Sequence, residues 1–250
     1  MKTINLIAIC SLVLSISVQA EVKDKITKTF SVDEHAEFRL NSVNGEVDIK
    51  AWDQNEIKVI AVITAKNQEA RDRITVEIDK NGRGVSVETH YRKSSTWGNN
   101  HGGSVDYSIM VPNATRLASI DLVNGSLKVD GVTGEMNIDL VNGSIWANGL
   151  SANSEISSVN GGIEVSYQSI ANDLNDISIE TVNGQIELVL PETINAEVDI
   201  ETMHGSIRND FGLSVDKNMF SGKSLHGTIG SGDVRVSIES VNGGIKLKKN

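Results

Sequence analysis

The chain has 250 residues, a formal charge of −10 and no Lys/Arg cluster dense enough to track a phosphate backbone, which argues against nucleic acid as a partner. Hydrophobic residues at 39% can fill a real core, so the chain is no disordered tail. With aromatics at 4%, 2 prolines and 22 glycines, that core must be built from Ile, Val and Leu with glycine-assisted reversals, which favours short strands over long helices.

Residues 1–20 read as a signal peptide. Lys2 precedes an apolar run from Ile4 to Val18, and Val18-Gln19-Ala20 offers the small residues of a cleavage site, so the mature chain is expected to begin at Glu21. Ile9 before Cys10 argues against lipid attachment. Cys10 is the sole cysteine and leaves with the signal, so the mature chain would have no thiol for a disulfide, a metal or a nucleophile. No transmembrane segment is expected after signal removal. The expected location is outside the cytoplasm, in the periplasm, at the cell surface or secreted.

Residues 21–112 form a β-rich N-terminal region. Phe30-Ser-Val, Phe38-Arg-Leu, Val47-Asp-Ile and Ile57-Lys-Val-Ile alternate as strands do, and Asn81-Gly82 between Ile74-Thr-Val-Glu-Ile and Val85-Ser-Val predicts a hairpin. Lys66 to Arg73 predicts a short helix, with Glu69 and Arg73 at i,i+4. A polar loop at 89–103 carries Tyr91, Trp97 and His101, candidates for stacking on a sugar or contacting a protein.

Residues 113–250 are a repeat array, expected to be continuous with the N-terminal region. Val-Asn-Gly occurs at 43, 123, 141, 159, 182 and 241, with variants Met203-His204-Gly205 and Leu225-His226-Gly227; from Val123 onward the starts are spaced 18, 18, 23, 21, 22 and 16 residues. Three residues before the Val stand Ile120, Ile138, Ile156, Ile179, Ile200 and Ile238, broken by Gly222. Four residues after it stand Leu127, Ile145, Ile163, Ile186, Ile207, Ile229 and Ile245. These columns are the predicted core, and each unit reads strand, corner, strand.

The predicted corners are Asn124-Gly125, Asn142-Gly143, Asn160-Gly161, Asn183-Gly184 and Asn242-Gly243, residues that both tolerate positive φ. Asn-Gly also makes hairpins, so a β-hairpin meander or sandwich competes with an all-β solenoid of stacked parallel coils. The likeness of side chains within each column favours the solenoid, where each residue stacks on its own kind. The Val itself is apolar in every unit, although alternation places it on the charged face.

The β-rich N-terminal region, the Val105-Asp-Tyr-Ser-Ile-Met-Val-Pro112 strand and the repeated Ile-x-x-Val-Asn-Gly-x-Ile units resemble the bacterial putative-adhesin domain of unknown function, from about Phe30 to Leu247. The resemblance implies a β-solenoid-like fold and an envelope or surface setting. It supplies no catalytic or binding residues.

The sequence holds no motif for a metalloprotease, serine hydrolase, phosphate loop or calcium loop, so no catalytic residue, cofactor or metal is assigned. Two residues before the Val lie Asp121, Asp139, Ser157, Glu180, Glu201, Lys223 and Glu239, which a solenoid would align into an acidic stripe, a candidate ligand site together with Trp97 and His101. His204 and His226 would stack as neighbours, but no third ligand column stands beside them. The function expected is a non-enzymatic envelope interaction or scaffold protein with an unknown protein, peptide or glycan partner. A carbohydrate-active β-helix enzyme and an envelope-stress or peptide-binding component are the alternatives.

Overall fold

A computed structural model describes residues 21–92, 102–217 and 222–250. The N-terminal region holds β1 (Val22–Ser31), β2 (Glu37–Asn44), β3 (Val47–Trp52), β4 (Glu56–Ala65), α1 (Gln68–Arg71), β5 (Ile74–Asn81), β6 (Gly84–Tyr91) and β7 (Gly103–Pro112). The repeats follow as β8 (Arg116–Asn124), β9 (Leu127–Asp130), β10 (Met136–Asn142), β11 (Ile145–Leu150), β12 (Ser154–Asn160), β13 (Ile163–Tyr167), β14 (Asp176–Asn183) and β15 (Ile186–Leu190). Then come β16 (Ala196–His204), β17 (Ile207–Asn209), β18 (Asp216–Lys217), β19 (Lys223–Ile229), β20 (Val234–Asn242) and β21 (Ile245–Lys249).

Each Asn-Gly corner sends the chain from one sheet into the other, and successive coils stack in parallel, as the pairing of β10 with both β8 and β12 illustrates. The protein is a two-sided β-solenoid. One sheet, here sheet A, has the order β1-β4-β7-β3-β9-β11-β13-β15-β21-β17; sheet B has the order β18-β19-β16-β20-β14-β12-β10-β8-β2-β6-β5. Antiparallel strands close the N-terminal end of sheet A (β1 and β4) and both ends of sheet B (the β5–β6 hairpin and β18–β19). β1, at the edge of sheet A, carries Lys23, Lys25 and Lys28, charges that discourage edge-to-edge pairing with a second chain.

The core columns read from the sequence are the interior of the two-layer stack. Ile120, Ile138, Ile156, Ile179, Ile238 and Ile200 form one ladder, each at most 1% exposed. Leu127, Ile145, Ile163, Ile186, Ile245 and Ile207 form the facing one. Burying each such side chain stabilises the fold by about 1.5–3 kcal/mol before conformational entropy is counted.

Four details of the sequence reading are corrected. The coils do not stack in chain order: β20 and β21 insert between β14–β15 and β16–β17, so the last repeat lies inside the array and β16–β17 lies outside it. The unit at Leu225-His226-Gly227 is no coil, because β19 runs antiparallel to β16 within sheet B. Among the described residues no non-glycine residue has positive φ, so Asn is not chosen for a left-handed backbone. The helix is also shorter than Lys66 to Arg73; Asn67 caps it at 2.8 Å from the Ala70 N–H, and the Arg73–Glu69 ion pair spans its C-terminal end.

What selects Asn is its side chain. Asn124 Nδ2 donates to Asn44 Oδ1 at 3.0 Å, and the pattern continues at 2.9 Å from Asn142 to Asn124, Asn160 to Asn142, Asn183 to Asn160 and Asn242 to Asn183. This amide ladder runs along one edge of the stack. Gly is required because the coils touch there: a Cβ at Gly143, whose φ is +142°, would lie 1.8 Å from the Gly125 carbonyl oxygen.

Candidate functional site

The outward rows of the two sheets differ in charge pattern. On sheet A, neighbouring strands bring together Asp48, Lys128, Trp146, Glu164, Glu187, Lys246 and Arg208 in one row. Its charges are matched: Lys246 and Lys248 both pair with Glu187, which holds that carboxyl below the usual range, and the Lys128 ammonium lies 4.8 Å from the Trp146 ring centre. This is the pattern of a solvated face.

On sheet B the equivalent row is Asn41, Asp121, Asp139, Ser157, Glu180, Glu239 and Glu201, with no cation in it. Asp139 does stand directly beside Asp121, as stacked coils require, but the inserted coil places Glu239 between Glu180 and Glu201. Two carboxylates one strand spacing apart repel by about 1 kcal/mol even at the dielectric of water.

The row disperses this repulsion unevenly. Asp121 accepts from Ser119 Oγ at 2.6 Å and Asp139 from Ser157 Oγ at 2.5 Å. Glu239 lies between two glutamates; desolvation by its neighbours, followed by the charges of Glu180, Glu201 and Asp199, raises its carboxyl above the usual range.

Beside the acidic row runs the column that alternation made puzzling. Val123, Val141, Val159, Val182 and Val241 are 37 to 41% exposed and Met203 is 56% exposed, so the apolar side chains do stand on the charged face. Together with half-buried Val43 they make a continuous stripe about 30 Å long at the strand spacing of a sheet. The two rows converge in an open groove of about 430 Å³ lined by Glu180, Glu239, Glu201, Val159, Val182, Val241 and Met203, where Lys223 is the single cation among the described residues.

The other sequence candidates fall elsewhere. Trp97 and His101 lie outside the described residues. Tyr91 packs partly buried against the core, with its hydroxyl 3.4 Å from the Asn44 carbonyl. His204 and His226 do not stack: His204 pairs with Asn242, while His226 stands opposite Asp199, five residues, or about 16 Å, further along β16. His226 instead meets carboxylates, its Nδ1 2.9 Å from Asp199 Oδ1 and its Nε2 3.9 Å from Glu201 Oε1. Sequence spacing could not reveal that cluster, because it depends on the antiparallel return of β19.

Stacked coils joined by tight corners, with a flat face bearing ladders of like residues, define a repeat β-solenoid. The chain belongs to the Toastrack DUF4097 family, whose model matches residues 115–248. Among solved structures it is similar to a putative cell adhesion protein from Clostridium sporogenes, at 14% identity and a TM-score of 0.57 over 92% of this chain and 100% of that one. A putative adhesin from Bacteroides fragilis also matches, at 14% identity, a TM-score of 0.34, and 90% and 97% coverage of the two chains. At 14% identity the likeness to the Clostridium protein speaks for the fold alone. No curated protein matches the chain. Among the described residues, no helix is long and apolar enough to cross a membrane.

Proposed function

We propose that this is an exported, non-catalytic interaction protein of the bacterial envelope that binds through the outer face of sheet B. The observation that carries the reading is the pairing of two ladders, one of unneutralised carboxylates and one of exposed valines, on the face opposite a charge-balanced one. Solvation alone gives no reason to keep an apolar residue exposed at the same place in coil after coil. A partner that relieves both features is an extended basic polypeptide segment with interspersed apolar residues, its cations against Asp121, Asp139, Glu180, Glu239 and Glu201 and its apolar side chains against the valines. The corners beside the stripe leave two residues between strands, as Gly125-Ser126 and Gly143-Ser144 do, too short to wall a substrate cleft, which supports binding over catalysis. The name of the Clostridium protein fits such a role.

A fluorescent peptide of alternating Lys and Val, titrated at low salt, tests the reading. Binding should weaken steeply with salt, fall at least tenfold in Val159→Lys, and be absent for a peptide of alternating Asp and Val. Equal affinity for both peptides, or an unaffected Val159→Lys protein, would remove sheet B as the docking face. Export is tested separately: the mature protein should begin at Glu21 by mass spectrometry of envelope fractions.

A further inference from the structure

The geometry points to a metal site on the rim of sheet B: Asp199, Glu201 and His226 bind a divalent transition-metal ion of the zinc class. Asp199 and Glu201 alternate by two along β16 and so project from the same outward face, and the antiparallel β19 sets His226 opposite Asp199. One donor atom from each residue lies within 4.8 Å of those of the other two. Donors around an ion bound at about 2.0–2.2 Å are roughly 3 to 4 Å apart, so rotamer adjustments of exposed side chains close the set.

Two further observations favour an ion over a simple His–Asp pair. Asp199 Oδ1 is shielded from solvent and accepts no hydrogen bond, although His226 Nδ1 is only 2.9 Å away. The surroundings are rich in negative charge, with Glu239 beside Glu201 in register and Glu197 two residues before Asp199, which raises the local cation concentration.

The donor set selects the metal. One imidazole with two carboxylates suits zinc, nickel or copper, whereas calcium and magnesium prefer all-oxygen shells. Three protein ligands leave at least one position for water or for a donor from a partner. The site shares Glu201 with the acidic row, but His226 and Asp199 lie off the valine stripe, so the two readings can be tested apart.

The test is calorimetric titration of the chelator-stripped protein with Zn²⁺, alongside His226→Gln, Asp199→Asn and, as a control in the acidic row outside the cluster, Glu180→Gln. The wild-type and Glu180→Gln proteins should bind one equivalent, and His226→Gln and Asp199→Asn should lose at least tenfold in affinity. Because His226 is exposed, His226→Gln should keep the metal-free melting temperature. Co²⁺ loading should produce a visible absorption band that Zn²⁺ abolishes and Ca²⁺ leaves unchanged. No heat with Zn²⁺, undiminished binding by His226→Gln, or displacement of Co²⁺ by Ca²⁺ would each overturn the site. Peptide docking measured on His226→Gln separates the two proposals, since loss of the metal leaves the valine stripe intact.

Discussion

At the scale of single residues, the corner joins two requirements that neither residue meets alone. Gly lets adjacent coils approach until backbone nearly touches backbone; Asn converts the resulting spacing into a hydrogen-bonded chain of amides. Gly143→Ala should therefore destabilise the protein by about 3 kcal/mol, since the added methyl meets the Gly125 carbonyl and the φ of +142° is hostile to any L side chain. Gly184 tests the steric part alone: its φ lies outside the left-handed range, yet its Cβ would lie 1.8 Å from the Gly161 carbonyl oxygen. Asn142→Ala removes two ladder bonds, one given to Asn124 and one accepted from Asn160, and should cost about 1–2 kcal/mol. Denaturant melts check all three, and an Asn142→Ala protein as stable as wild type would reduce the ladder to a by-product of stacking.

At the scale of the strand, stacking turns isolated side chains into rows whose energies depend on neighbours. The folded protein holds the Glu239 carboxyl above its ordinary range, so the folded state binds a proton more readily there than the unfolded chain does. The sign follows from linkage: this group lowers stability as pH rises from the ordinary carboxylate range through its raised folded value, and has no effect below, where it is neutral in both states. Glu239→Gln should then be more stable than wild type at pH 7 and low salt, by about 0.5 kcal/mol for a group so open to solvent. The gain should shrink in high salt and vanish in acid. Asp139→Asn should gain less, because an amide oxygen accepts the Ser157 hydroxyl more weakly than the carboxylate does. A Glu239→Gln melting temperature equal to wild type at every pH and salt concentration would mean the row carries no repulsion for a basic partner to relieve.

At the scale of the whole molecule, what was legible in the sequence was the coil, and what was hidden was the order of coils. Ile columns, Asn-Gly corners and an acidic stripe follow from alternation within one unit, and every unit carries the same pattern. Nothing in identical patterns tells which coil lies on which, so Glu239 could not be placed between Glu180 and Glu201. The one irregularity was informative: Gly222 breaks the Ile column at the very unit that forms no coil. The metal cluster was hidden for the same reason, since His226 reaches Asp199 only when β19 turns back. The inserted coil has an energetic consequence. β20 and β21 supply the parallel neighbours of β16 and β17, and Ile238 and Ile245 fill the core between them and β14–β15. Ending the chain at Asp233 therefore removes an inner layer, and leaves β16 only β19 as a partner in sheet B. For an array stacked in chain order, the same truncation would remove only a terminal coil and leave its neighbours folded. With the actual order, amides of β16, β17 and β19 should lose hydrogen-exchange protection together in the truncated protein, while those of β8 to β13 keep theirs, as expected if nearest-neighbour contacts dominate. Adding residues 234–250 as a separate peptide should restore protection to β16. Persistent protection of β16 in the truncated chain would mean that the β16–β19 pair folds without the inserted coil, and that its place inside the stack is not what holds the C-terminal end together.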